Sequence, residues 1–169
     1  MLKLRAGVRG LALALLLAGA PAQAEERTIE LANGEQLRYR VVTAPAESAH
    51  PAALALLGHL AAGEIETAAA LSNAPQRRLE VLRNFRDSVG DDEFKRLFSR
   101  YFVPANRLVL EAAIERHRLL VWELGEAGRQ LTGQYFVEVD GRFLLDDVPS
   151  ATRTRLQRLL AALKKGDVP

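Results

Sequence analysis

Hydrophobic and polar residues alternate with a period of two along Gln130–Val139, the pattern of a half-buried β-strand. Asp140-Gly141 follows directly and favours a tight hairpin turn, which brings Phe143–Leu145 back as a short partner strand. Upstream, Leu119–Leu124 is apolar at five of its six positions, as expected of a central strand that is covered on both faces. Residues 107–146 are therefore predicted to form an antiparallel meander of three or four strands.

Within the strand at 130–139, the alternation separates two sets of side chains. The set expected on the buried face consists of Leu131, Gly133, Tyr135, Val137 and Val139. Most of the second set, which consists of Thr132, Gln134, Phe136 and Glu138, is expected on a wetter face. This assignment predicts that the sheet packs its odd-numbered residues against the rest of the protein.

A helical period replaces the alternation in the first half of the chain. Apolar residues recur three and four positions apart over Ala52–Asn73, with a break near Gly63. Pro75 suits the first turn of a second helix, with Asn73 as its candidate cap. Asp91 can cap a further helix, which ends before the next proline. These helices have apolar stripes that need a surface to pack on, and the meander supplies one.

Further elements are predicted at both ends of the chain. Thr28–Leu31 and Gln36–Val42 flank Asn33-Gly34, which favours a tight hairpin turn. This hairpin should lean on the main body or extend the sheet; the alternative is an N-terminal tail without fixed structure. A helical stripe near the C-terminus consists of Leu156, Leu159, Leu160 and Leu163. The predicted fold is α+β, with N-terminal helices packed on a curved antiparallel sheet, an added N-terminal hairpin and a C-terminal helix.

The first 24 residues have the three parts of an export signal. An apolar run, Leu11–Ala18, lies between a basic start and the small-x-small pattern that ends at Ala24. We predict cleavage after Ala24 and a periplasmic or secreted protein. An uncleaved anchor is the alternative, although the run is shorter than the roughly 20 residues that a membrane-spanning helix needs.

Removal of this leader changes the charge of the protein. Three of the 23 basic residues lie in it and all 21 acidic residues follow it, which leaves a formal charge of −1. Nucleic acid is therefore not an expected partner. The chain has no cysteine, which excludes a disulfide framework and a lipid anchor of the kind that is attached to cysteine.

The 145 residues that follow the leader are enough to bury a core without disulfides. The predicted organisation is a signal peptide at 1–24, a hairpin and linker at 25–50, and one α+β domain with its C-terminal helix at 51–165.

Residues 133–147 read GQYFVEVDGRFLLDD, and they follow a set of helices and a meander. This order resembles the nuclear transport factor 2-like superfamily, which includes the ketosteroid isomerase, scytalone dehydratase and SnoaL-like groups. The resemblance covers about Pro51–Asp147 and implies a cone in which a bent sheet wraps around helices and leaves a pocket. Isomerases of this fold use a carboxylate base with a tyrosine and a protonated acid as oxyanion donors. No such set can be carried over to this sequence residue by residue.

Three histidines are present, His50, His59 and His117, without the short spacing of metal ligands. The sequence also lacks HExxH, CxxC, a phosphate-binding glycine loop and the G-x-S-x-G elbow of hydrolases. We therefore expect no metal and no cofactor. His59 lies in an apolar helix and is expected to pack there or at a rim, with a pocket base as the alternative. His117 lies between two arginines and is predicted to be solvated.

Four other residues are weak candidates for a site. Glu123 shares a strand face with Leu119 and Val121, where a buried carboxylate could act as a general acid or base; the alternative is a face open to water. Tyr101, Trp122 and Tyr135 could line a ligand pocket, or they could be ordinary core residues.

The arginines between positions 77 and 86 could bind an anionic ligand or a lipid headgroup. The alternative is that they form the solvated side of an amphipathic helix.

Clear fold signals without a catalytic constellation favour an exported binding or accessory protein. Its pocket between helices and sheet would take a small apolar molecule or an envelope protein. The first alternative is an isomerase or dehydratase, with Glu123 or an acid near the Asp140-Gly141 turn as base and Tyr135 as donor. The second is an assembly factor or inhibitor that acts through an outer sheet patch containing Trp122 or Phe136; a homodimer through the sheet fits this alternative.

Overall fold

The computed structural model describes residues 25–125 and 130–166. The predicted leader lies outside these residues. The described residues contain six strands: β1 Glu25–Glu30, β2 Gln36–Val41, β3 Arg107–Ile114, β4 His117–Leu124, β5 Gln130–Val139 and β6 Arg142–Leu145. They also contain five α-helices: α1 His50–Ala62, α2 Ile65–Ala70, α3 Pro75–Val89, α4 Asp91–Ser99 and α5 Ala151–Lys165. Short 3-10 turns lie at Pro45–Glu47 and Arg100–Phe102.

The six strands form one antiparallel sheet whose spatial order follows the chain order. The α+β class is thus confirmed, and the meander at 107–146 is present as β3 to β6. Its central strand, β4, pairs with β3 and with β5 over nearly its whole length. The hairpin of β1 and β2 joins this sheet by a short seam, in which Arg40 pairs with Ala113 and Val41 with Ala112.

The sheet is covered on both faces. Side chains of Leu120, Trp122 and Leu124 from β4 pack with α1 to α4 in one hydrophobic core, which we call the four-helix core. Leu119 and Val121 point the other way and pack with α5 and the β1–β2 hairpin in a second core, the α5 core. Central strand β4 is apolar throughout because both of its faces are buried.

The expectation that the even-numbered face of β5 is the wetter one is wrong at Phe136. Phe136 belongs to that even-numbered set, and it is 1% exposed in the four-helix core. The odd-numbered set faces the α5 core, to which Leu131 and Tyr135 contribute. Period-two alternation separates two faces but does not show which of them is covered, and here helices cover both.

Gly133 brings α5 close to the sheet. A β-carbon at this position would lie 2.5 Å from Leu160 Cδ2 and 2.9 Å from Leu119 Cδ1. Both distances are shorter than real contacts, so the absence of a side chain lets α5 pack directly on β5.

The start of α1 is held to β3 by Glu111. Its carboxylate accepts hydrogen bonds from the Ala49 backbone N–H at 2.7 Å and from the Ser48 hydroxyl at 2.5 Å. A negative charge at a helix N-terminus is favourable, and this one is buried. The N-terminus of α1 is thereby fixed to the sheet that this helix covers.

Residues 71–73 lie along the outer edge of β6. The Leu145 N–H donates to Leu71 O at 2.8 Å, and the Asn73 N–H donates to Leu145 O at 3.0 Å, in a parallel bridge. Asn73, predicted to cap α3, has another role: the cap position is Ala74, without a side-chain hydrogen bond. Within residues 25–125 and 130–166, no helix is long and apolar enough to cross a membrane.

Candidate functional site

A cleft opens beside β5 at the point where β6 no longer accompanies it. Pairing with β6 covers only Phe136 to Val139, and the Asp146 N–H then donates to Tyr135 O at 2.8 Å. Along Gly133–Tyr135, before the residues that pair with β6, the edge of β5 faces a cavity of about 310 Å³ between the helices and the sheet. We call this cavity the edge cleft.

The wall of the edge cleft on the helix side is apolar. It is built from Leu56 and Leu60 of α1, Leu82 of α3 and Phe98 of α4. These residues belong to or pack against the four-helix core, so the cleft is a side opening of that core. The opposite wall is the stretch Gly133–Tyr135 of β5.

The mouth of the edge cleft is polar and basic. Arg78, Asp147 and Arg153 line it, and the same three residues line a neighbouring cavity of about 280 Å³ that extends over Arg77 and the first turn of α5. An apolar interior therefore leads directly to a charged entrance, which is the arrangement of many small-molecule sites.

A buried hydrogen-bond network closes the cleft on the side of β6. His117 Nδ1 lies 2.9 Å from Asp146 Oδ2, and Asn73 donates to Asp146 Oδ1 at 2.9 Å. The Asp147 N–H donates to Asn73 Oδ1 at 2.7 Å, and the Ser72 hydroxyl donates to Asp147 Oδ2 at 2.6 Å. We call this network the polar clasp, because it joins the α2–α3 turn to the end of β6.

His117 is buried in the polar clasp, not solvated as predicted. It is 7% exposed, and its partner Asp146 is 2% exposed. The two arginines beside His117 differ in their exposure to solvent. Arg116 is exposed, whereas Arg118 is buried over the Phe143 ring. Burial lowers the pKa of Arg118, and nearby Arg40 acts in the same direction.

The two arginines at the mouth of the cleft differ in their partners. Arg78 forms a bidentate ion pair with Asp147, so its charge is already matched. Arg153 instead lies over the ring of Tyr135, with Cζ 5.5 Å from the ring centroid. Its Nε is buried and has no hydrogen-bond partner among the described residues. Burial raises the pKa of Tyr135, and the charge of Arg153 opposes that rise.

Tyr101 and Trp122 are brought together behind the cleft. Their rings make an edge-to-face contact with centroids 5.3 Å apart, and the Trp122 indole N–H donates to Gln134 Oε1 at 3.0 Å. Burial is the main cause of the raised pKa of Tyr101, and a hydrogen bond with Thr132 opposes it. Gln134 lines the cleft, so Trp122 touches the site through that amide.

The structure places Glu123 away from the edge cleft. It shares the α5-facing side of β4 with Leu119 and Val121, as the alternation predicts, and it lies near the C-terminal end of α5. Its carboxylate forms an ion pair with Arg107 at 3.1 Å, and its side chain is 16% exposed. Tyr135 pairs with Leu119, four positions along the strand, which separates it from Glu123 by roughly 13 Å at about 3.3 Å per residue.

The last candidate, His59, lies at the C-terminal end of α1. Its Nδ1 is 2.5 Å from Glu64 Oε2, and its side chain is 35% exposed. The residue therefore occupies a helix rim outside the cleft lining. Of the five candidates, Tyr135 lines the cleft, Tyr101 and Trp122 meet behind it, and Glu123 and His59 lie elsewhere.

Comparison of the chain with protein-family models, with curated proteins and with solved structures finds no match. The described residues also contain no group of three or more histidine, aspartate or glutamate side chains that could hold a metal ion. The geometry of the site therefore carries its interpretation. It combines the apolar interior of the edge cleft, the polar clasp and Arg153, which has no anionic partner among the described residues.

Arg153 and Asp147 are absent from the candidates that the sequence suggests. The sequence does contain a signal for Asp147, because two adjacent acids directly follow the short strand β6. Nothing local distinguishes Arg153 from the other arginines of α5, since its position depends on how that helix docks on Gly133.

Proposed function

We propose that this protein is an exported binding protein that holds a small, largely apolar molecule in the edge cleft. The observation that carries the proposal is the cleft itself, which has an apolar interior between the helices and the sheet and a charged mouth. Its volume of about 310 Å³ is at the lower end of the range for ligand pockets, so the ligand is small.

The position of the cleft agrees with the resemblance to the nuclear transport factor 2-like superfamily. A pocket between helices and a bent sheet is what the cone of that superfamily implies. Membership of that superfamily and export from the cell are both part of the proposal. The cleft supports a binding function whether or not the protein belongs to the superfamily.

The positions of the titratable candidates favour binding over isomerase or dehydratase chemistry. Such chemistry requires a base and a donor that reach one substrate position within hydrogen-bond distance. Glu123 and Tyr135 lie on the same face but roughly 13 Å apart, at about 3.3 Å per strand residue. The acids at the cleft, Asp146 and Asp147, are already engaged by Asn73, His117 and Arg78.

Blocking the cleft tests this proposal. The protein without residues 1–24 is incubated with an envelope lipid extract, repurified and examined by native mass spectrometry for a retained small molecule. Leu60→Trp fills the apolar slot and should abolish retention, because Leu60 lines the cleft. Leu54→Trp is the matched control on the same helix: Leu54 packs at the border of the four-helix core but does not line the cleft, so retention should persist.

Circular dichroism and thermal melting of both variants establish that they are folded. The proposal fails if the unmodified protein retains no molecule from the extract. It also fails if folded Leu60→Trp retains as much as Leu54→Trp does.

A further inference from the structure

We infer that the ligand of the edge cleft is an amphipathic anion, whose acidic headgroup is bound by Arg153 at the cleft mouth. This inference rests on the proposed binding function and adds the chemical class of the ligand. The two arginines at the mouth of the cleft differ in their partners, because Arg78 forms an ion pair with Asp147 and Arg153 forms none with a described residue.

Within the described part of the chain, Arg153 has no ion-pair partner at the mouth of the cleft, although two carboxylates lie there. Asp147 is matched by Arg78, and Asp146 is engaged by His117 and Asn73 in the polar clasp. Neither Arg153 nor Arg77 forms an ion pair with any residue that the structure describes. Among these residues, Arg153 thus remains at the cleft mouth without a carboxylate partner, while both carboxylates there already have partners of their own.

Arg153 is held in place to receive an anion. Its guanidinium carbon lies 5.5 Å from the centroid of the Tyr135 ring, and its Nε is buried without an acceptor in the described part of the chain. The outer N–H groups of this guanidinium have no ion-pair partner among the described residues, and a carboxylate or phosphate oxygen is the strongest acceptor for them. Arginine binds both of these groups in a bidentate geometry.

The first turn of α5 is not the source of this anion preference. Ser150 caps the helix, and its hydroxyl oxygen already accepts the backbone N–H of Arg153 at 3.0 Å. The side chain of Arg153, and not the helix end, is therefore the group that faces the ligand. Behind it, the apolar wall of Leu56, Leu60 and Phe98 accommodates a short hydrocarbon portion.

Three probes that differ only in the headgroup test the inference: 1-decanol, decanoate and decyl phosphate. Binding to the full mature chain is followed by the fluorescence of Trp122, which reports on the cleft through its hydrogen bond to Gln134. Decanoate or decyl phosphate, or both, should bind at least about tenfold more tightly than decanol, since a hydrogen bond to a charged group is worth that much. The stronger of the two anions identifies the headgroup as carboxylate or phosphate.

Arg153→Gln should remove this anion preference, so that decanoate and decyl phosphate bind the variant no more tightly than decanol does. Arg155→Gln is the matched control two residues along the same helix, outside the cleft lining, and it should preserve the preference. Equal affinity of all three probes for the unmodified protein would overturn the inference and leave the binding function intact. An anion preference that survives Arg153→Gln would also overturn it, whereas failure of every probe and of the lipid extract would remove both proposals.

Discussion

Gly133 is a residue at which α5 packs closely on the sheet. A β-carbon there would overlap Leu160 and Leu119, both of which are buried in the α5 core. The neighbouring residues Gln134 and Tyr135 form the strand wall of the edge cleft. The close approach that this glycine permits therefore also sets the distance between Arg153 and the Tyr135 ring.

We expect Gly133→Ala to destabilise the protein by about 1–3 kcal/mol, the usual cost of overpacking a well-packed core. The change should appear as a lower midpoint in urea-induced unfolding followed by circular dichroism. Gly58→Ala is the control: nothing lies within 4 Å of its added β-carbon, and it is inside α1. That substitution should raise stability by up to about 1 kcal/mol, because alanine favours the helix. A tolerated Gly133→Ala would show that α5 is not packed against β5 as described.

Single residues also show where sequence reasoning fails. The faces of β4 follow from its alternation, and Glu123 lies on the predicted side. The burial of His117 does not follow from its neighbours, because it depends on Asp146, 29 positions away. Residues whose environment comes from a distant partner have no local pattern to identify them.

At the scale of elements, the polar clasp replaces a conventional helix cap. Asn73 and Ser72 precede α3, yet their side chains bind Asp146 and Asp147 after β6. The turn between α2 and α3 is thereby tied to the far edge of the sheet. Because Arg78 on the first turns of α3 binds Asp147 as well, the same ties hold one side of the cleft mouth.

Asp146→Ala should cost about 2–5 kcal/mol of unfolding free energy, because it leaves His117 and Asn73 buried without their acceptor. Equilibrium unfolding in urea measures this loss. Asp87→Ala is the comparison: its carboxylate is 73% exposed and lies 4.0 Å from Arg86, so its removal should change stability by less than about 1 kcal/mol. Equal losses for the two variants would mean that the clasp does not stabilise the protein.

Most of the elements were predictable from periodicity and turn residues. The bounds of β5 agree with the prediction, and α5 has the predicted leucines, of which Leu156, Leu159 and Leu160 are buried. The location and lining of the edge cleft were not predictable, because it lies where a four-residue strand stops beside a ten-residue one. Strand length and pairing register, not residue type, create the opening.

At the scale of the molecule, α5 makes the sheet a middle layer. Leu156, Leu159 and Leu160 complete the α5 core together with β1 to β5. Trp122 and Phe136, which the interaction hypothesis placed on an outer patch, are 2% and 1% exposed beneath the other helices. Pairing through an open sheet face would therefore require α5 or the four helices to move away.

Truncation of the chain after Pro149 should expose the α5 core, including Leu119 and Val121 of the central strand. We expect residues 25–149 to self-associate in size-exclusion chromatography with light scattering and to bind the dye ANS. A chain of residues 25–166, which keeps the whole helix, should behave as a chain of residues 25–169 does. A monomeric 25–149 chain with unchanged melting would show that α5 is a dispensable addition.

The short parallel bridge of residues 71–73 to β6 has a consequence for behaviour at high concentration. It occupies backbone groups along one lateral border of the sheet, so another chain cannot add a strand there without displacing it. At the opposite border, β1 has the charged side chains of Glu25, Glu26, Arg27 and Glu30, which disfavour such growth. Coverage at one margin and charge at the other thus both disfavour the addition of a strand from another chain.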